Sequence, residues 1–231
     1  MFSLPALQNS LIVSCQAPAD SPLHDPDIIA AMAKAAVLRG AKGVRIDTPS
    51  HVAATRRLLP DTPIIGLWKQ ILPGYEVYIT PRFEDAAAIA QAGADIIAID
   101  ATTRSRPNAE TVASLIPRIH DELGKPVMAD IDTLENAQLA QAAGADIIGT
   151  TLYGYTEETA AYQPPAWELL QALVAQMSVP VICEGGIASP EMATRALNLG
   201  ADAIVVGGAI TGVDLKVHAF LGALSGYSVK P

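Results

Sequence analysis

Apolar residues along the chain fall into two alternating rhythms. Short runs rich in Ile and Val, bounded by polar residues, occur at 11–15, 43–46, 63–68, 95–99, 126–130, 146–149, 180–183 and 203–206. Such runs suit strands buried on both faces, as in a parallel sheet. Between them lie Ala-rich stretches such as PDIIAAMAKAAVLRG, FEDAAAIAQAG, LENAQLAQAAG and SPEMATRALNLG, which read as helices. A glycine ends each of these, and Gly just past a helical run is a stop signal because it takes the left-handed conformation without a clash. Pro63, Pro126 and Pro180 mark the starts of three strands, a place where proline is tolerated. A further strand-like piece, EVYIT (76–80), is predicted to lie in the loop after the third strand.

The strands belong to an internal repeat. RGAKGVRID (39–47), AGADIIAID (92–100), AGADIIGTT (143–151) and LGADAIVVG (199–207) resemble one another. The repeat is about fifty residues long and contains one βαβα unit, so four copies supply eight strands. Parallel strands with helical crossovers in a chain of 231 residues predict a closed (β/α)8 TIM barrel. An open doubly wound sheet fits less well, because the repeat runs from one end of the chain to the other. No Pro/Gly/Ser-rich linker interrupts it, so residues 1–231 read as a single domain.

Composition narrows the function. Half of the chain is hydrophobic and 17% is charged, which excludes a disordered protein. The formal net charge of −9 argues against nucleic acid or an anionic membrane as partner. No apolar run reaches the roughly 18 residues of a membrane span, and MFSLPALQNS carries no secretory signal pattern. Cys15 and Cys183 sit in apolar runs and read as buried reduced thiols, so a cytoplasmic protein is expected. His24, His51, His120 and His218 are scattered over predicted loops and helices, read as surface or helix-face residues, and form no metal constellation. Neither a GxGxxG nor a GxxxxGK[ST] motif is present.

In a barrel of this kind, reactive groups gather at the C-terminal ends of the strands. Those ends carry Gln16, Arg45 with Asp47, Lys69, Asp100, Asp130 with Asp132, Thr150 with Thr151, Glu184, and Gly207 with Gly208. Amide, cations and carboxylates around one mouth make an acid–base set. Glu184 stands out, because it follows a fully apolar strand and precedes two glycines, where a carboxylate is poor core filler. The loops EGGIASPE and GGAITG follow the seventh and eighth strands. Phosphate sites in such barrels use these two loops, so Gly185, Gly186, Gly207 and Gly208 are candidate phosphate-binding residues through their backbone N–H groups.

Several longer stretches carry a family likeness: IVSCQ (12–16), ITPRFED (79–85), AGADIIAIDATTRSRP (92–107), MADIDTLENA (128–137), GADIIGTTLYGYT (144–156) and LGADAIVVGGAIT (199–211). Together they resemble the bacterial N-acetylmannosamine-6-phosphate 2-epimerases over nearly the whole chain. The resemblance implies a (β/α)8 barrel that interconverts N-acetylmannosamine 6-phosphate and N-acetylglucosamine 6-phosphate, in sialic acid breakdown, without metal or organic cofactor. It implies that Lys69 and Glu184 are catalytic and that Gln16, Arg45 and Asp130 bind substrate. The chain departs from the family pattern at Gln70 and Ile71, where Arg-Asp is common, and at Gly186, where arginine is usual. It also departs at Gly208 and Gly212, in a loop that commonly reads GSAITR, and at Tyr153, where serine is common before GYT.

Inversion at C2 requires breaking a C–H bond that is acidic only in the open-chain aldehyde. The site must open the ring, remove the C2 proton and return one to the other face. Lys69 is the expected base at C2, with its pKa lowered by burial or by Arg45. Glu184 either orients it or acts as second proton donor. Asp130 is expected to bond the sugar, and Gln16 and Arg45 to hold its oxygens and stabilise enolate charge. Two alternatives are another phosphosugar isomerase or epimerase on the same barrel, and a non-catalytic sugar-phosphate binder. The last helical stretch, VDLKVHAFLGAL (213–224), aligns Val213, Val217, Phe220, Leu221 and Leu224 on one face. That face either closes its own barrel or forms a homodimer contact, and the resemblance favours the homodimer.

Overall fold

The structure, a computed structural model, describes residues 7–224. Eight parallel strands pair in chain order and close on themselves, β1 with β8. They are β1 (Ser10–Cys15), β2 (Gly43–Asp47), β3 (Ile64–Leu67), β4 (Ile96–Asp100), β5 (Val127–Asp130), β6 (Ile147–Gly149), β7 (Val181–Glu184) and β8 (Ala203–Val206). The helices that alternate with them are α1 (Pro26–Leu38), α2 (Pro49–Leu58), α3 (Phe83–Gln91), α4 (Val112–Arg118), α5 (Leu134–Ala142), α6 (Trp167–Gln176) and α7 (Pro190–Asn198). A four-residue α8 (Gly208–Thr211) and a longer α9 (Val213–Leu224) follow β8. This is the (β/α)8 barrel expected from the repeat.

The three strands expected to begin at proline begin one residue later. The carbonyls of Pro63, Pro126 and Pro180 each accept a bond from the neighbouring strand at 3.0 Å, but proline has no N–H to give, so the ladder starts at Ile64, Val127 and Val181. The repeated Gly-Ala-Asp sequence explains how those first N–H groups are satisfied. Asp95 accepts from Ile64 N at 2.9 Å, Asp146 from Val127 N at 2.7 Å, and Asp202 from Val181 N at 2.8 Å. Each carboxylate thus ties the start of one strand to the start of the next. The preceding glycine, at φ +107, +99 and +99 for Gly93, Gly144 and Gly200, turns the chain from helix to strand.

Two apolar layers follow from strand alternation. The outer layer, between sheet and helices, includes Val44, Ile46, Val127, Ala129, Val181 and both buried thiols, Cys15 and Cys183. The inner layer fills the barrel with Ile12, Ile65, Leu67, Ile96, Met128, Ile147, Ile182 and Val205. Residues two positions further along the inner register point into the upper barrel. For β5 and β7 these are Asp130, after Met128, and Glu184, after Ile182.

Residues 76–80 form no regular strand. They make one antiparallel bridge, Lys69 to Ile79, and wedge between the tops of β3 and β4. Gln70 N donates to Tyr78 O at 2.9 Å, Thr80 N to Trp68 O at 2.8 Å, and Asp100 N to Ile79 O at 2.9 Å. Of the histidines read as surface or helix-face residues, His51 does lie on a helix, α2, but is buried there, with its ring 4.5 Å from that of His24. No residue of α9 is buried. Its apolar face, with Phe220 73% and Leu221 62% exposed, does not close its own barrel. No helix among the described residues is long and apolar enough to cross a membrane.

The carboxylate of Asp202 gives a direct test of the strand-start bonds. Asp202→Ala leaves the N–H of Val181 without its acceptor and should cost about 1–3 kcal/mol. Urea unfolding checks this, and an unchanged midpoint would remove the carboxylate from the account of the fold.

Candidate active site

Three charged side chains converge in the upper barrel because their strands share the inward register. Arg45 of β2 forms a two-pronged pair with Asp130 of β5: Nη1 to Oδ1 at 3.0 Å and Nη2 to Oδ2 at 2.6 Å. The same Nη1 donates to Oε2 of Glu184 at 2.7 Å. Side-chain exposures are 2% for Arg45, 0% for Asp130 and 12% for Glu184. Glu184 is thus the most exposed of the three and the one nearest the open mouth. Gly149 of β6 makes room for this cluster: a Cβ there would collide with Met128 and stand 3.2 Å from Asp130 Oδ1.

Two threonines after β6 hold Glu184 in place. Thr150 Oγ1 donates to Glu184 O at 2.7 Å and accepts from Glu184 N at 3.0 Å, which pins its backbone. Thr151 Oγ1 lies 2.6 Å from Asp130 Oδ1 and 3.2 Å from Glu184 Oε2. Sequence reading placed both threonines at a strand end without assigning them a part. Their spacing to Glu184 depends on the β6–β7 register, which the sequence does not display.

On the other side of the mouth, Lys69 stands just past β3. Its backbone N–H donates to Asp47 Oδ1 at 2.9 Å, and its Nζ donates to Gln16 Oε1 at 2.5 Å. Gln16 in turn donates through Nε2 to Ser14 Oγ at 2.9 Å. Lys69 is an exposed residue, yet the walls of the mouth crowd its ammonium. Desolvation lowers its pKa, Asp47 opposes this, and the nearby Arg45 charge lowers it further. Burial raises the Glu184 pKa to about 7, with Arg45 pulling down and Asp130 pushing up. Burial also works against the Arg45 charge, but Asp130 and Glu184 outweigh it and hold the pKa above its ordinary value. Tyr78, packed on the inner layer, has its phenol pushed up to about 12 by burial and by Asp130.

The five residues expected from the sequence thus form two linked groups around one mouth. Gln16 and Lys69 make one, and Arg45, Asp130 and Glu184 the other. Arg104 and Arg106, the cations of the loop after β4, are engaged elsewhere: Arg104 Nη2 bonds Asp100 Oδ2 at 2.6 Å, and Arg106 is 4% exposed and bonded to the Asp100 carbonyl. Among the described residues no cluster of His, Cys, Asp and Glu has the form of a metal site.

The loops after β7 and β8 present backbone rather than side chains. Among the described residues, no protein oxygen accepts from the N–H groups of Gly185, Gly186, Gly207 or Gly208. Two of the departures noted in these loops, Gly186 and Gly212, have a steric cause; nothing in the structure explains the third, Gly208. Gly186 has φ +70, and a Cβ there would stand 2.6 Å from the Pro164 carbonyl carbon. A Cβ on Gly212 would stand 2.7 Å from Gly208 O. Neither position accepts an arginine as this backbone runs.

A family model described as "Putative N-acetylmannosamine-6-phosphate epimerase" matches residues 29–225. A protein of Thermosynechococcus vestitus named as a 2-epimerase of the same substrate is 67% identical over 94% of both chains. One from Synechococcus elongatus with the same name is 61% identical over 96% of both. Among solved structures, the N-acetylmannosamine-6-phosphate 2-epimerase from Clostridium perfringens superposes with a TM-score of 0.90, at 40% identity and 95% coverage of each chain. Thiamine phosphate pyrophosphorylase from Pyrococcus furiosus, at 18% identity and a TM-score of 0.62, shares the barrel fold. The family model takes in residues 29–225, and the Thermosynechococcus and Synechococcus relatives are more than 60% identical over more than nine tenths of the chain; on that ground the chain belongs to the N-acetylmannosamine-6-phosphate 2-epimerase family.

Proposed function

We propose that the protein interconverts N-acetylmannosamine 6-phosphate and N-acetylglucosamine 6-phosphate by moving the proton at C2. The single observation that carries the chemistry is the meeting of Lys69 and Glu184 at one mouth, each with its pKa shifted toward neutrality. A lysine of ordinary pKa is protonated at neutral pH and cannot take a proton. A carboxylic acid of ordinary pKa is ionised there and cannot give one. Burial moves both in the useful direction, lowering the lysine and raising the glutamic acid.

In this reading the sugar opens to its aldehyde, and Lys69 removes the C2 proton. The electron pair left at C2 delocalises onto the aldehyde oxygen. Gln16 bonds the substrate oxygens at the mouth, and the buried Arg45 charge favours the enolate from below. Reprotonation on the opposite face gives the epimer. Asp130 acts mainly through Arg45 and Glu184, a narrower part than the sugar contact expected from the sequence. The free N–H groups of Gly185, Gly186, Gly207 and Gly208 support a phosphate cradle made of backbone. No organic cofactor or metal enters this mechanism. The buried thiols Cys15 and Cys183, with pKa values raised by burial to about 12 and about 11, fit a reducing, cytoplasmic setting.

The same reading includes a homodimer formed through α9. Val213, Val217, Phe220, Leu221 and Leu224 are all more than half exposed on that helix, and a second copy would remove this apolar surface from water.

Lys69→Ala should lose epimerisation and solvent exchange of the C2 hydrogen together, by at least about 10²-fold, while still binding the sugar phosphate. Glu184→Gln separates the roles of the carboxyl: C2 exchange without inversion makes it the second proton donor, and joint loss makes it the orienting partner of Lys69. Near-normal epimerisation by Lys69→Ala would reject the assignment. For assembly, light scattering should give twice the 24.1 kDa chain mass. A monomer for the native chain, or a dimer unaffected by Phe220→Asp with Leu221→Asp, would reject the α9 contact.

A further inference from the structure

Thr151 sits between the two carboxylates of the site and has one hydrogen to give. Its Oγ1 is 2.6 Å from Asp130 Oδ1 and 3.2 Å from Glu184 Oε2. The shorter distance places the hydrogen on the Asp130 side. Towards Glu184 the hydroxyl then presents a lone pair. An ionised Glu184 would set two electron-rich oxygens against each other at 3.2 Å. A protonated one would complete a chain in which Oε2–H donates to Thr151 Oγ1, and Thr151 Oγ1–H donates to Asp130 Oδ1. Arg45 Nη1, 2.7 Å from the same Oε2, can donate to it in either form.

We propose that Thr151 is a positioning residue that holds a proton on Glu184, its hydroxyl donating to Asp130 and accepting from Glu184. The proposal rests on the epimerase reading above only for its consequence, not for its chemistry. A neutral Glu184 does not pin Lys69 as an ammonium ion, so the lysine is freer to act as a base. It also carries the proton that an acid at C2 would deliver. The groups facing Glu184 are Arg45 from β2, Lys69 from β3, Asp130 from β5 and Thr151 past β6, with the Cys183 thiol beside it on β7. Arg45 and Lys69 favour the carboxylate, as does Thr151 when its hydroxyl donates to Glu184, whereas Asp130 and desolvation favour the acid. Thr151 is the one neutral group whose effect depends on the direction of a single hydrogen bond. Donation to Glu184 would favour the carboxylate, and acceptance favours the acid.

That direction can be read without substrate. The carbonyl stretch of protonated Glu184 can be titrated by difference infrared spectroscopy and assigned by its loss in Glu184→Gln. The wild-type midpoint is expected near about 7. Thr151→Val keeps the shape and removes the hydroxyl, and should lower the midpoint by about one pH unit, a tenfold change in proton affinity. Thr151→Ser should restore it. A midpoint raised or unmoved in Thr151→Val overturns the proposal, as does failure of the serine variant to restore it. Should the valine variant not fold, Thr151→Ala gives the same comparison. A wild-type midpoint in the ordinary carboxylate range overturns it with no variant at all. Absence of turnover on either hexosamine 6-phosphate would reject the epimerase reading and leave this titration result standing.

Discussion

A guanidinium in the middle of a barrel is the constraint on which the rest of the site depends. Arg45 is 1% exposed, and such a charge is tolerated only where opposite charges meet it with good geometry. Asp130 supplies two short bonds and Glu184 a third. The two carboxylates together outweigh the single cation, and Asp130 adds its own repulsion to Glu184. The third bond therefore anchors Glu184 without forcing it to stay ionised. Removing Arg45 would leave two buried acids facing each other. Removing Asp130 would leave Glu184 as the only partner of a buried cation and drive it to ionise. The pair is thus both a structural plug for the upper barrel and the device that keeps Glu184 poised near neutrality.

The repeat explains how a sequence of small and branched residues places these groups. Each Gly-Ala-Asp segment turns a helix into a strand and ties that strand to its predecessor, so the ladder starts in register. From those starts, alternation sends Arg45, Asp130 and Glu184 inward at nearly one height. Gly149, with Met128 and Asp130 in the space a side chain would occupy, shows the inner layer adapting to the charged cluster. At the opposite rim, the wedge of residues 76–80 completes the wall beside Lys69 and brings Tyr78 onto the inner layer.

Much of this was legible in the sequence. Strand positions followed from apolar runs and punctuation by Gly and Pro, and errors at the strand starts reflect the missing proline N–H rather than a misplaced element. Glu184 stood out because a charge at the end of a wholly apolar strand has few structural uses, whereas Lys69 was one strand-end cation among others until the family resemblance singled it out. What stayed hidden depends on distances between elements far apart in the chain. Burial of Arg45 beneath Glu184 requires knowing that β2, β5 and β7 point three side chains at one spot. Thr151 looks like any strand-end hydroxyl until Asp130 and Glu184 are placed on either side of it. Gly186 and Gly212 looked like lost arginines, and only the close approach of Pro164 and Gly208 shows why glycine stands there. The periodicity of α9 disclosed an apolar face but not its failure to pack on its own barrel.

The central claim is that chemistry at this mouth breaks the C2–H bond and exchanges the proton with groups open to solvent. NMR of the native protein incubated in deuterated water with each hexosamine 6-phosphate measures this directly. The expected result is interconversion of the two sugars from either side, with deuterium at C2 of the product. Interconversion that retains the original C2 hydrogen through prolonged turnover, or deuterium appearing at another carbon with C2 untouched, would contradict it.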